Sequence, residues 1–141
     1  MLKFSLVDEA YYQNSGVYAD VYTILNRHTG ETLCNHGDLD LTEIDDAENR
    51  GIDVHGPDWV AVPKQDDLRL GRYVAIDFAA EYLPDDLDRV YDYFSSRGAF
   101  RRFKDLVGLR DKMDEWHAYE ASRTQAALRE WCADNDIELE D

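Results

Sequence analysis

The chain has 141 residues, the size of one ordinary domain, and its 44% hydrophobic content is close to the globular norm. Asp and Glu number 31 against 15 Lys and Arg, so the formal net charge is −16. A chain with this charge repels nucleic-acid phosphates and anionic membranes at long range, so we expect neither direct nucleic-acid binding nor membrane association.

The first half of the chain predicts one helix followed by three short strands. Ser5 is expected to be a helix N-cap, with Asp8 and Glu9 in the first turn, where negative charge is favoured. Runs of β-branched and aromatic residues indicate strands, and Gly30 is expected to supply the positive φ of a hairpin turn. The predicted elements are a helix over about Leu6–Gln13, strands over Ala19–Leu25, Thr32–Asn35 and Trp59–Val62, and either a helix capped by Thr42 or a solvated loop over Thr42–Asn49.

The second half predicts four helices, because its apolar residues recur at helical spacing. Gly71 is expected to weaken the first of them, and Pro84 occupies a favoured first position of the next. Gly108 is expected to end the third helix. The predicted helices cover about 66–82, 84–94, 99–107 and 109–134. The residues expected to share one face of the last helix are Trp116, Tyr119, Arg123, Ala127 and Trp131.

This order of elements predicts a mainly helical α+β fold, in which a small antiparallel N-terminal sheet packs with a C-terminal bundle of helices. No linker rich in Pro or Gly separates the two halves. We therefore expect a single domain over residues 1–141, with the first helix and the sheet at about 1–63 and the helical half at about 66–135.

The segment Arg97–Lys112 concentrates positive charge. Its six basic and two acidic side chains give a net charge of +4, whereas the other residues hold 9 basic and 29 acidic groups, a net charge of −20. Phe100 begins an apolar stripe at helical spacing, and Arg101 lies four residues before Asp105, with which it can pair on a helix. A helix that starts after Gly98 also offers unpaired backbone N–H groups, which favour anions.

Two interpretations of this segment stay open. The basic side chains either pair with the protein's own acidic surface, or they form an accessible site for a phosphate or an acidic partner. We call the second arrangement the basic corner. Its candidate binding residues are Arg97, Gly98, Phe100, Arg101, Arg102 and Lys104.

The octapeptide G-A-F-R-R-F-K-D, at residues 98–105, resembles the C-terminal signature of family 0158 of the UPF series of bacterial proteins. Trp116, the Glu130–Trp131 pair and the Ile137–Glu138 pair extend the similarity, as does the Thr29–Gly30–Glu31 turn, so the resemblance covers most of the chain. The sequence differs from the family pattern at three positions: His117 replaces Phe, Cys132 replaces Leu and Asp136 replaces Gly. The family carries no established activity, so the resemblance implies a fold and no function.

No complete catalytic motif is present, and we expect neither catalytic residues nor a metal or cofactor. Cys34, His36 and Asp38 lie close in sequence, but they lack the spacing and further ligands of a metal site or an activated nucleophile. Cys132, beside a Trp in a helix, is expected to be a small core residue. The adjacent acids Asp45–Asp46 and Asp85–Asp86 are interpreted as solvated or helix-dipole carboxylates.

The leading functional hypothesis is a non-enzymatic interaction or regulatory module that binds a protein partner or an anionic group through the basic corner. One alternative is an acidic-face binder or inhibitor of a basic, nucleic-acid-binding protein, which would use the region Asp38–Asp58 and could mimic nucleic acid. A hidden hydrolase is the other alternative. Two distant cysteines and no signal-peptide pattern before Asp8 lead us to expect a cytoplasmic protein, and the oligomeric state stays open.

Overall fold

The computed structural model describes residues 1–14, 21–36 and 43–140, and over these residues the chain is a mainly helical α+β protein, as predicted. The helices are α1 (Phe4–Asn14), α2 (Glu43–Asn49), α3 (Arg72–Tyr82), α4 (Leu87–Tyr93), α5 (Ala99–Leu109) and α6 (Met113–Asp134), and a 3₁₀ turn over Pro84–Asp86 precedes α4. The strands are β1 (Val21–Asn26), β2 (Thr32–His36) and β3 (Trp59–Ala61). Within the described part of the chain, no helix is both long enough and apolar enough to cross a bilayer.

The residues divide into two compact units. The first contains Met1–Leu68 together with Ala127–Asp141, and the second contains Arg69–Ala126. Helix α6 begins in the second unit, and its residues from Ala127 onward belong to the first. The predicted single domain over 1–141 stays a prediction.

The first unit contains an antiparallel sheet with the strand order β2-β1-β3. Thr23 pairs with Cys34 across one edge of β1, and Leu25 pairs with Val60 across the other. A cluster of buried side chains from the sheet and from α2 and its following loop forms a core here, with Trp59 packed against it. Its buried members are Ile24, Leu33, Ile44, Ala47 and Val54.

Helix α1 begins earlier than predicted. It starts at Phe4, so Ser5 lies inside the helix and is not its N-cap, and no acidic residue lies in the first turn. The prediction of a Ser5 cap was wrong because Phe4 is a buried core residue that belongs to the helix's apolar side. Gly30 adopts the predicted positive φ, 78°, and a Cβ at this position would lie 2.6 Å from Leu6 Cδ1. The turn therefore favours glycine for its backbone angle, whereas the contact with Leu6 involves the end of a flexible, partly exposed side chain that can move aside.

The segment after α6 pairs with the residue that precedes α1. Leu2 donates its N–H to the carbonyl of Glu138, and Glu140 donates its N–H to the carbonyl of Leu2, each over 2.8 Å. These two bonds form a parallel bridge between Leu2 and Leu139. Ile137 is buried with an exposure of 4%, so the segment after α6 contributes to the first unit's core.

An aromatic cluster forms the core of the second unit. The ring of Phe78, on α3, is fully buried, and its centroid lies 5.3 Å from that of Trp116 and 6.3 Å from that of Phe103. Trp116 and Phe103 are themselves in edge-to-face contact over 4.8 Å. The arrangement brings α3, α5 and the start of α6 to one centre.

Pro84 begins a 3₁₀ turn and α4 starts only at Leu87, later than predicted, and three further helix ends of the second unit differ from the predictions because of backbone angles. Gly71 adopts φ 71° and ψ −119°, which no α-helix contains, so α3 begins at Arg72 and not near residue 66. Helix α5 passes through Gly108 to Leu109, and the left-handed residue after it is Asp111, with φ 59°. Helix α6 therefore starts at Met113 and not at Leu109.

The buried line of α6 is displaced from the predicted face. Of the five residues expected to share that face, Trp116 is buried and the other four are partly exposed. The buried positions are instead Thr124, Leu128 and Cys132, each of which directly follows one of the predicted residues Arg123, Ala127 and Trp131. A spacing of four residues links these three positions, so they form a single stripe.

Candidate functional site

Helix α5 carries the basic corner, and Gly98 sets its start. Gly98 adopts a left-handed conformation with φ 75°, and its carbonyl accepts the N–H of Arg102 over 3.2 Å. No described atom lies within 4 Å of the point where a Cβ of Gly98 would stand. Glycine is therefore favoured here for its backbone angle and not for a close approach to other atoms.

The buried face of α5 determines where its charged side chains lie. Phe103, Leu106 and Val107 are buried, as the apolar stripe predicts. Phe100 is only partly covered, with 38% of its surface exposed, and its ring meets that of Phe94 edge-on over 5.0 Å. Since three positions of the stripe fix the rotation of the helix, the basic residues between them lie on the solvent side.

The four basic side chains of the corner are all exposed. None of them is within 4.0 Å of a carboxylate among the described residues, so the predicted pair between Arg101 and Asp105 does not form. Arg102 donates from Nη1 to the hydroxyl of Ser96 over 3.1 Å. Self-pairing with the protein's acids thus does not account for Arg97, Arg101, Arg102 or Lys104 in the described part of the chain.

Two other arginines of the second unit contrast with these four. Arg123 donates from Nη1 to Asp77 over 2.9 Å and to the Tyr119 hydroxyl over 3.0 Å. Its hydrogen bond to Asp77 raises the pKa of Arg123. Arg110, the fifth basic residue of the segment Arg97–Lys112, is bound to Asp86. Within this segment, pairing with the protein's own carboxylates therefore accounts for Arg110. It does not account for the four basic residues that precede Arg110.

Asp86 is a buried carboxylate, with 7% of its surface exposed. Its two oxygens accept Nε and Nη2 of Arg110 over 2.9 and 3.0 Å. This bidentate bond holds the pKa of Asp86 below its usual range. Of the two interpretations of Asp85–Asp86, solvated or helix-dipole carboxylates, the solvated one was therefore wrong for Asp86, which lies at the start of α4. Its partner lies 24 residues away, and no local pattern signals a pairing over that distance.

An open groove of about 440 Å³ lies beside this ion pair, and the sequence did not predict it. The 3₁₀ turn, the end of α3 and the loop after α5 form its walls. The lining residues are Tyr82, Leu83, Pro84, Asp85, Asp86, Arg110 and Lys112.

No family model, curated protein or solved structure matches the chain. The resemblance to family 0158 of the UPF series stays a prediction. Inferences about function therefore rest on the contacts and charges of the site.

The cysteine and histidine candidates do not assemble into a reactive site in the described part of the chain. Cys34 lies on β2 with its Sγ 3.4 Å from the hydroxyl of Thr23, and Asp38 is outside the described residues. His55 contacts Glu48 over 2.9 Å. No three metal-ligating side chains converge among residues 1–14, 21–36 and 43–140.

Cys132 is a core residue, as predicted. Its surface is 1% exposed, and burial raises the pKa of its thiol to about 11. A thiol with this pKa is almost entirely protonated at neutral pH and is a poor nucleophile.

Proposed function

We propose that this chain is a non-enzymatic interaction module that binds an acidic segment of a protein partner through the basic corner. The observation that carries the proposal is that four neighbouring cations, Arg97, Arg101, Arg102 and Lys104, are exposed without a carboxylate partner among the described residues. The chain has 31 acidic residues, so a shortage of carboxylates does not explain why these four cations have no described partner.

The composition of the basic corner suits recognition of another protein. Arginine and aromatic residues are over-represented among the residues that dominate binding free energies. Phe100 adds a half-exposed ring to three arginines, and its packing on Phe94 limits the conformational freedom that binding would remove. The first N–H groups of α5, which no side chain caps in the described structure, add donors for a carboxylate.

The charge of the rest of the molecule narrows the partner's class. Outside Arg97–Lys112 the chain carries a net charge of −20, which opposes long-range approach of a uniformly acidic polymer such as nucleic acid. At physiological ionic strength the Debye length is about 8 Å, so a local contact is decided by the charges nearest to it. We therefore infer a short acidic segment carrying an apolar or aromatic side chain, on a partner that is not strongly acidic overall.

Fluorescent peptides test this proposal directly. The probes are one acidic peptide that contains a single Trp, the same peptide with Trp replaced by Ser, and a peptide in which Gln replaces each Glu. We expect fluorescence anisotropy to rank the Trp-containing acidic peptide as the tightest ligand. The Arg101→Glu/Arg102→Glu variant should weaken its binding by at least about tenfold, because two charge-assisted contacts become repulsive.

A matched control uses the same change of charge in the first unit. Lys3→Glu/Arg50→Glu also replaces two exposed cations. The described pair of Arg50 is a surface pair with Asp46, four residues earlier in the chain. This control should bind the peptide like the wild type. Equal loss in both variants, or equal binding of the acidic and Gln peptides, would contradict the proposal. A collapse of the melting temperature in Arg101→Glu/Arg102→Glu would instead assign the two arginines a structural role.

The acidic-face alternative has less support from the described residues. In the region Asp38–Asp58, Asp46 already contacts Arg50, Glu48 contacts His55, and Asp58 contacts His28. Residues 38–42 lie outside the described structure. Competition between this protein and DNA for a basic protein, lost on neutralising these acids, would favour the alternative over the proposed function.

A further inference from the structure

The groove beside the Asp86–Arg110 pair lies apart from the residues that define the basic corner, and its chemistry goes beyond the proposed function. It offers about 440 Å³ of open space, which is in the range of small-molecule sites. Its lining combines an apolar wall, formed by Tyr82, Leu83 and Pro84, with four charged side chains.

Arg110 is held by one edge of its guanidinium and is free at another. A guanidinium has five N–H donors in one plane. Asp86 accepts one from Nε and one from Nη2, so both N–H groups of Nη1 and the second of Nη2 have no hydrogen-bond partner among the described residues. The Arg110 side chain is 43% exposed. A second planar acceptor can therefore bind the edge formed by Nη1 and Nη2 while Asp86 holds the guanidinium in place.

The backbone after α5 adds to this fixed position. The N–H of Lys112 bonds to the carbonyl of Val107 over 3.0 Å, and the N–H of Asp111 bonds to that of Gly108 over 3.1 Å. These two bonds close the helix in a Schellman motif, with Asp111 in the left-handed position. The motif defines the backbone of the loop that carries both cations of the groove, Arg110 and Lys112.

The charge balance of the groove selects among anions. Asp85 and Asp86 against Arg110 and Lys112 give the lining no net charge. A bound monoanion leaves the groove with one excess negative charge and a dianion such as phosphate leaves it with two, so the lining favours a monoanion, which can use the free donors of Arg110 and the ammonium of Lys112. Carboxylate is the planar monoanion that matches a guanidinium fork.

The apolar wall indicates what the carboxylate is attached to. The Tyr82 ring is stacked on the buried Phe78, with a centroid distance of 4.7 Å, and it is 39% exposed. A ring fixed in this way offers a rigid apolar surface beside Pro84. We propose that the groove binds a carboxylate that carries an apolar or aromatic group, either on a free small acid or at the C-terminus of a peptide.

Binding of two pairs of probes tests the inference and separates its two sources. The small-acid pair is 3-phenylpropionate and 3-phenylpropionamide, and the peptide pair is acetyl-Ala-Ala-Phe with a free or an amidated C-terminus. Amide-proton chemical shifts of the full chain, followed by NMR during titration, give the affinity and the position. We expect the carboxylate of at least one pair to bind, with shifts at Tyr82–Asp86 and Arg110–Lys112, and its amide counterpart to bind at least about tenfold more weakly.

Three variants assign the binding to Arg110 and Lys112. Arg110→Lys keeps the charge but removes the fork and should weaken carboxylate binding by about tenfold. Lys112→Met keeps the apolar stem and should weaken it severalfold. Arg123→Lys makes the same chemical change at an ion pair outside the groove and should leave the affinity unchanged.

Several results would overturn this inference. They are equal binding of acid and amide in both pairs, no binding of either acid, or tighter binding of inorganic phosphate than of the acids. If Arg110→Lys does not fold, an affinity for the acids that is unchanged in Lys112→Met would also overturn it. Failure here and failure of the proposed function are distinguishable, because Arg101→Glu/Arg102→Glu changes no lining residue and should bind the carboxylate probe that the wild type binds with the same affinity.

Discussion

Two aspartates adopt a backbone conformation that glycine favours. Asp111 follows α5 with φ 59°, and Asp136 follows α6 with φ 57°. Each occupies the left-handed position of a helix-ending motif, and after α6 the N–H of Ile137 bonds to the carbonyl of Cys132 over 2.9 Å. A residue with a Cβ loses about 1–2 kcal/mol in this conformation.

Asp136→Gly is therefore expected to stabilise the protein by roughly 0.5–1 kcal/mol, since the relief of strain exceeds the greater backbone entropy of glycine in the unfolded chain. Urea unfolding measures the change in the free energy of unfolding. Asp136→Ala is the control, because it removes the same charge next to the helix C-terminus but keeps a Cβ. A gain in Asp136→Ala as large as in Asp136→Gly would attribute the effect to charge and not to the backbone.

The two cysteines are expected to react at very different rates. Cys132 is 1% exposed and its pKa is raised to about 11 by burial, whereas Cys34 is partly exposed. In the native protein at pH 8, a disulfide reagent should modify Cys34 first, and Cys132 should react only on unfolding. Counting released chromophore before and after denaturant, in the wild type and in Cys34→Ser, measures this. Rapid native-state labelling of Cys34→Ser would contradict the described burial of Cys132.

At the scale of the helices, Phe78 is the centre of the second unit. It is fully buried and contacts the rings of Tyr82, Phe103, Trp116 and Tyr119 at centroid distances between 4.7 and 6.3 Å. Phe78→Ala should cost about 3–5 kcal/mol of unfolding free energy, because it removes a large side chain from a packed core. Tyr91→Ala, on the 54% exposed Tyr91 of α4, should change stability by less than about 0.5 kcal/mol. Comparable losses in the two variants would mean that the rings around Phe78 do not form a common core.

The Asp86–Arg110 pair links the 3₁₀ turn before α4 to the end of α5, and its contribution depends on pH. The pKa of Asp86 is lowered in the folded state, so its ionised form favours folding. This stability is fully present above the ordinary pKa of an aspartate and is lost as the pH falls through the lowered pKa.

Asp86→Asn should therefore lower the free energy of unfolding at pH 7 by roughly 1.5–3 kcal/mol, the range for hydrogen bonds to charged groups. The difference between wild type and variant should shrink as the pH falls below the ordinary pKa of an aspartate, and it should vanish only below the lowered pKa of Asp86. Thermal melts at several pH values measure the difference, with the exposed Asp88→Asn of α4 as the control. A difference between wild type and Asp86→Asn that stays constant down to pH 3 would show that ionisation of Asp86 does not contribute.

Local patterns in the sequence predicted most helices and strands, and they failed where the structure depends on backbone angles or on distant partners. The apolar stripe of α5 was correct because Phe103, Leu106 and Val107 lie within one element and face one core. The start of α3 was wrong because Gly71 adopts an angle that composition alone does not reveal. The buried line of α6 was off by one position because Tyr119 and Trp131 score as apolar although they are only partly buried, whereas the buried Thr124 is polar.

The candidate site divides in the same way. The concentration of positive charge in one segment is a property of the sequence, so the residues of the basic corner can be chosen from composition and helical spacing alone. Composition and spacing do not show which cations pair with a carboxylate of the same chain. The partner of Arg110 lies 24 residues away, and no local sequence pattern indicates a pairing over that distance. The groove has no sequence signal for the same reason, since its walls come from three separate segments.

For the molecule as a whole, the net charge of −16 is expected to oppose compactness. Like charges are closer together in the folded chain than in the unfolded chain. Added salt screens their repulsion and should therefore stabilise the folded state more than the unfolded state. Four described arginine–carboxylate pairs act in the opposite sense, but two of them join side chains that are both more than a third exposed and contribute little each. Repulsion should therefore dominate the response to salt.

The melting temperature should rise by several degrees when NaCl is increased from about 0.01 M to about 0.3 M at pH 7, because the Debye length falls from about 30 Å to below 10 Å. Arg101→Glu/Arg102→Glu changes the net charge from −16 to −20 and should melt lower than the wild type at low salt, with a steeper rise. Lys3→Glu/Arg50→Glu carries the same net charge and should respond similarly if the effect is global. A melting temperature that falls as salt is added would instead show that attractive pairs, such as Asp86–Arg110, outweigh the repulsion among the 31 acidic residues.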